Sequence, residues 1–190
     1  MADNLENGLQ QGNPAAFERL FDLYADELLR QAYQMLGDPT DAEDIVQDAL
    51  VGFVDALRTG RFHGGNGTLY GYLKTTVRNL CINLIRQRGH LHIFHRPDCN
   101  VPHVEIDPLR DLPSGPLDSW QIQQGIERAI EKLPAVQRAV IVMRIMEDLS
   151  YQQIAHELGI SIDHVKNTLA RARKQMREDL EPLIHEGKLP

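Results

Sequence analysis

Apolar residues recur along this chain at spacings of three and four and nowhere alternate with polar ones over a strand's length, so the pattern predicts helices throughout. Phe17, Leu20, Phe21, Tyr24, Leu28, Ala32, Met35 and Leu36 form the first stripe. Asn13 before Pro14 reads as an N-cap followed by proline at the first helical position, and Gly37 ends the helix. The next start is either Asp38 capping Pro39 or a capping box made by Thr40 and Glu43. Its stripe is Ala42, Ile45, Val46, Ala49, Leu50, Phe53 and Leu57, and the opposite side, with Asp41, Asp44, Gln47, Asp48 and Asp55, is acidic.

Residues 59–68 carry glycine at 60, 64, 65 and 67, too much backbone entropy for a helix or strand, and read as a loop. A third helix is expected over 69–88, with Leu69, Leu73, Val77, Leu80, Cys81, Leu84 and Ile85 inward. Lys74, Arg78, Asn79, Asn83 and Arg86 are left for its other faces. From about Arg96 to Ser119 the prolines at 97, 102, 108, 113 and 116 preclude a continuous helix, which predicts an extended linker carrying Asp98, Glu105, Asp107, Asp111 and Asp118. Beyond it Ile122, Ile126, Ala129, Ile130 and Leu133 mark a helix ending at Pro134, which begins the next with Val140, Ile141 and Met143. The expected fold is therefore all-α: a helical bundle over 1–95, an acidic flexible linker over 96–119 and a smaller helical domain over 120–190.

Within that last domain, Ser150 caps a short helix carrying Ile154, Ala155 and Leu158, Gly159 makes a tight turn, and Ser161 caps a second helix. The second helix is expected to bury Val165, Leu169, Ala172 and Met176. This is helix-turn-helix spacing. Lys166, Asn167, Arg171, Arg173 and Lys174 fall outside the stripe, where phosphates and base edges would be met. The plain alternative is an αα-hairpin with a solvated basic face, and the cap, turn and second cap favour DNA binding over it.

Charge sharpens this reading. The 190 residues carry a net charge of -7, which on average disfavours a nucleic-acid partner, but the charges are segregated. No Asp or Glu occurs from Ala56 to Pro97, where Arg58, Arg61, Lys74, Arg78, Arg86, Arg88 and Arg96 lie, nor from His164 to Arg177. Two basic segments separated by acidic ones suit a chain that touches polyanion at two places and something basic elsewhere. The longest purely apolar run, Ala139 to Met143, is too short to cross a bilayer, so no membrane insertion is expected. The first residues lack the layout of a secretion signal and Cys81 and Cys99 make no disulfide framework, which points to the cytoplasm.

Taken in order, these strings resemble the extracytoplasmic-function (ECF) sigma factors of bacterial RNA polymerase, over nearly the whole chain. Leu133-Pro134 with Gln137-Arg138, the run Leu149 to Ser161, and Val165-Lys166 with Leu169, Arg171, Ala172 and Arg173 are similar to that family's C-terminal promoter-reading domain. Asp41 to Asp48, and Tyr72-Leu73 with Val77, Arg78, Asn79, Leu80, Ile82, Asn83 and Arg86, resemble its N-terminal one. Gln153 stands where Glu is usual, Tyr72 where Trp is usual, Asn83 where Asp is usual, and Asp163-His164 where Gly-Thr often occurs.

The resemblance implies a non-enzymatic factor, without cofactor, that binds the β and β′ subunits of core polymerase and directs promoter recognition, melting and initiation. Asp44, Gln47 and Asp48 are then the polymerase contacts. Phe62, His63, Gly64, Gly65, Asn66, Lys74, Arg78, Asn79, Asn83 and Arg86 serve the minus-ten element, the loop receiving a base taken out of the stack. Ser161, His164, Lys166, Asn167, Arg171, Arg173 and Lys174 serve the minus-thirty-five element. An anti-sigma factor is a further partner that the family brings with it. Two rivals compete. A helix-turn-helix repressor explains the C-terminal half but neither the second basic segment nor the acidic helix. A metal-responsive regulator would use His90, His92, His95, Cys99 and His103, but their spacing matches no standard zinc site and a proline-rich segment does not preorganise ligands, so no metal is expected.

Overall fold

The structure, a computed structural model, describes residues 2–62, 69–89 and 119–185. Among the described residues there are eight helices and no strand: α1 (Ala2–Gln10), α2 (Pro14–Leu36), α3 (Pro39–Arg58), α4 (Leu69–Gln87), α5 (Ser119–Glu131), α6 (Ala135–Ile145), α7 (Tyr151–Leu158) and α8 (Ile162–His185). The all-α class is as the periodicity predicts. The chain divides into two compact units, Met1–Leu84 and Ile85–Pro190, and the division falls in the last turn of α4. The expected linker, 96–119, lies outside the described residues except for Ser119, which begins α5.

In the first unit the local signals act as read. Asn13 Oδ1 accepts from the Ala15 N–H at 3.0 Å, and the Gly37 N–H closes α2 on the Tyr33 carbonyl at 2.7 Å. Of the two starts open for α3, the chain uses Asp38, whose Oδ1 accepts from the Asp41 N–H at 3.0 Å. The whole α3 stripe is buried, together with Val54 and Ala56. α1 is an element that the periodicity did not predict. Its Leu5 and Leu9 are buried, and the helix packs on both α2 and α3. Gly8 permits this approach: a Cβ there would meet the Ala16 Cβ at 2.8 Å. α4 joins α2 through stacked Tyr24 and Tyr70 rings, 5.7 Å between centroids, and the Gln31 amide donating to the Lys74 carbonyl at 3.3 Å.

The second unit is held by α6, whose Val136 and Ala139 to Met143 are buried, with α5, α7 and α8 around it. Arg138 is buried and its Nη1 donates to the Glu131 carbonyl at 2.9 Å, capping the end of α5. In the turn after α6, Asp148 has φ of 51°. Arg144 fixes that turn, with Nη1 3.3 Å from Asp148 Oδ1 and 3.1 Å from the Leu149 carbonyl, and its guanidinium lies over the Tyr151 ring at 5.4 Å. Among the described residues no helix is long and apolar enough to cross a membrane.

Candidate functional site

The helix-turn-helix is built from caps. Ser150 Oγ accepts from the Gln153 N–H at 3.2 Å, while Gln153 Oε1 accepts from the Ser150 N–H at 2.8 Å. The amide thus closes the box as well as the usual Glu would. Gly159, at φ of 67°, carries the chain through the left-handed turn, and the Ile160 N–H bonds back to the Ala155 carbonyl at 3.0 Å. Ser161 then caps α8, accepting from the His164 N–H at 3.2 Å. Ser161 therefore has a structural partner as well as the phosphate role expected of it.

α8 presents Val165, Thr168, Leu169 and Ala172 to the core, all buried, while Met176 is only half-buried. At 100° per residue, Asp163, Lys166, Asn167, Ala170, Lys174 and Arg177 share the opposite face. Arg171 and Arg173 lie on its two flanks and are half-buried, and Arg173 Nε and Nη2 are shielded from solvent. Arg173 thus lies outside the stripe, as expected, but borders it closely. Asp163 was missed because the acid-free segment begins one residue later. It is 82% exposed in its side chain and pairs with Lys166, Oδ1 to Nζ 3.8 Å.

In the first unit, Asp44, Gln47 and Asp48 are exposed together on α3, as the amphipathic pattern predicts. Two apolar residues join them. Val51 lies on the same face as Asp44, Asp48 and Asp55 and is 56% exposed, and Phe21 of α2, which the stripe assigned to the core, is also 56% exposed. Both line a groove between α2 and α3 floored by Leu20, Val46 and Leu50, with Glu18, Asp22, Glu43 and Gln47 along it. A lone Val among carboxylates was the signal in the sequence.

Of the residues expected at the minus-ten element, His63, Gly64, Gly65 and Asn66 lie outside the described residues. Phe62 stands at the loop's entrance, its N–H bonded to the Ala56 carbonyl at 3.1 Å. Its ring meets buried Phe53 edge-on at 5.1 Å and Tyr72 at 5.1 Å, which ties α3, the loop entrance and α4 together. Asn79, Asn83 and Arg86 are exposed along one face of α4, with Tyr72 at its head. Lys74 is half-buried off that face. Arg78 does not join them: the buried stripe of α4 is wide enough to include Ile82, and Arg78, one turn earlier on the same side, is 9% exposed. The cluster His90, His92, His95, Cys99 and His103 lies outside the described residues. Among the described residues no group of His, Cys, Asp or Glu is placed to hold a metal ion.

Comparison with known proteins agrees with both halves. The family described as Sigma-70 region 2 matches residues 20–90, and that described as Sigma-70, region 4 matches residues 123–176. An RNA polymerase sigma-E factor of Streptomyces avermitilis is 32% identical over 181 residues, 91% of this chain and 89% of that protein. The ECF RNA polymerase sigma factor SigW of Bacillus subtilis is 29% identical over 182 residues, 92% and 94% of the two chains. SigE of Mycolicibacterium smegmatis is 28% identical over 87% of this chain, which spans 62% of that relative's length. Among solved structures, the sigma factor RpoE of Bartonella quintana, in complex with the anti-sigma factor NepR, is similar at a TM-score of 0.51 and 27% identity, over 87% of this chain and 96% of that one. The chain belongs to the ECF class of the sigma-70 family, the promoter-directing factors of transcription initiation that act with core RNA polymerase.

Proposed function

We propose that this factor divides its work between two surfaces of opposite charge, over domains at 1–95 and 120–190 joined by 96–119. The observation that carries the reading is the contrast of α3 with α8 as far as Arg177: each buries one apolar stripe, and one shows mainly carboxylates outward where the other shows mainly cations. Asp44, Gln47 and Asp48, with Phe21 and Val51 as apolar anchors, dock on core polymerase at its β′ subunit. Carboxylates steer and align a basic partner surface, and exposed apolar side chains beside them supply the desolvated centre.

Lys166, Asn167 and Arg171 read the minus-thirty-five element while Ser161, His164, Arg173 and Lys174 hold α8 on phosphates. Asn79, Asn83 and Arg86 grip the non-template strand, Lys74 adds positive charge from off that face, and Phe62 with residues 63–66 captures an unpaired base of the minus-ten element. Arg78 acts through the packing of α4. Phosphodiester synthesis belongs to the polymerase, and this chain supplies no catalytic group. It works in the cytoplasm, where the polymerase is. An anti-sigma factor, such as the NepR that the Bartonella quintana relative binds, would act by covering these surfaces.

The test is reconstitution. Added to core polymerase, the chain should co-elute at one to one and direct run-off transcription from discrete promoters in a genomic library. Failure to bind core, with DNA binding retained, would instead favour a repressor.

A further inference from the structure

Asp163 needs a reason to be where it is. It occupies the first turn of α8 at the centre of the face turned away from the core, the position from which a recognition helix meets base edges. A carboxylate there is repelled by the phosphates on either side of the groove. Capping does not require it, because Ser161 already satisfies the His164 N–H. Its ion pair with Lys166 joins an acceptor and a donor 3.8 Å apart, both facing outward, with side chains 82% and 39% exposed.

We infer that Asp163 is a specificity-determining residue, and that the Asp163–Lys166 pair reads one cytosine–guanine base pair of the upstream promoter element. In the major groove a cytosine presents its N4 amino donor, which a carboxylate accepts, and its guanine presents O6 and N7 acceptors, which an ammonium satisfies. Donor and acceptors stand side by side on one base-pair edge, as the complementary carboxylate and ammonium stand 3.8 Å apart on the protein. Adenine–thymine also shows an amino donor, but only one of its acceptors lies beyond it on the partner base, so Lys166 gains less. Lys166 is thereby restrained by Asp163 and loses less rotamer freedom on binding than an unpaired lysine.

This inference rests on α8 being the reading helix, and the experiment separates the two. Holoenzyme made with the full chain would be selected against a randomised minus-thirty-five library, in parallel for the parent, Asp163→Ala, Asp163→Asn and Arg171→Ala, with circular dichroism confirming that each variant folds. The parent should demand cytosine at one position. Asp163→Ala should lose that preference by about 5- to 150-fold and keep the others. Asp163→Asn should move it toward adenine, whose N6 and N7 suit an amide. If Arg171→Ala shifts its own position while Asp163→Ala changes none, or raises affinity equally for every sequence, Asp163 is only a charge in the first turn and the inference fails. A parental preference for another base at the Asp163-dependent position would overturn the cytosine assignment. If neither variant alters any preference, α8 does not read bases and the broader reading fails with it.

Discussion

α3 and α8 are built alike and differ in the charge that they turn outward. Each starts at a side-chain cap, Asp38 for one and Ser161 for the other, and each buries a continuous apolar stripe. On the outward side they diverge. α3 shows Asp44, Asp48 and Asp55 around an exposed Val51, whereas α8 as far as Arg177 shows Lys166, Lys174 and Arg177 with one carboxylate, Asp163, before exposed Glu178, paired with Lys174 at 3.9 Å, and Glu181 follow. The scaffold of an amphipathic helix leaves the outer face free to vary. An apolar residue among acids suits a protein partner that dehydrates its interface, and cations with an amide and no apolar side chain larger than that of Ala170 suit a polyanion that keeps its water.

The sharpest way to break this contrast is to reverse the sign of one face. Asp44→Lys with Asp48→Lys should weaken binding to core polymerase by about 100-fold, since like charges set opposite one another cost several kcal/mol. The fold should be unchanged, because both side chains are exposed; equilibrium titration against labelled core, beside thermal melting, checks both. A smaller loss, about tenfold, is expected for Phe21→Ala with Val51→Ala, with weaker salt dependence than the charge reversal.

On the other face, Arg171→Ala should cost about 1–3 kcal/mol and relax preference at one base position, whereas Lys174→Ala should lower all affinities together and reduce the salt slope by about one. Binding to a panel of single-base promoter variants at two salt concentrations distinguishes them. Beneath that face, Ser150→Ala removes the hydroxyl that closes the box at α7 and should destabilise the second unit by about 1 kcal/mol, read by thermal melting. Gln153→Glu keeps the acceptor and adds a charge near a helix N-terminus, so it should be stabilising by at most about 0.5 kcal/mol.

What was legible in the sequence was whatever is local. Asn13-Pro14, Gly37, Ser150, Gly159 and Ser161 act through bonds to residues two to five positions away, and the α3 stripe repeats on one helix, so the elements and the helix-turn-helix follow from spacing. Features decided by distant contacts were not. α1 carries Leu5 and Leu9 as buried anchors and is held by α2 and α3. The Phe53, Phe62 and Tyr72 cluster joins three segments. The burial of Arg78 depends on how wide a stripe its neighbours cover. Phe21 shows the limit most clearly: periodicity identifies an apolar face and does not say whether that face meets the core or a partner.

The central claim is that the acidic and the basic helix faces serve separate partners, and one measurement tests it directly: the affinity of each variant for core polymerase, with run-off transcription from a single promoter taken in the same titration. The account predicts that Asp44→Lys with Asp48→Lys loses core binding and transcription together, with transcription restored at high protein concentration. Arg171→Ala should keep parental affinity for core and still lose transcription from that promoter at saturation. Parental core affinity in the charge-reversed variant, or loss of core affinity in Arg171→Ala, would contradict the assignment of partners to faces.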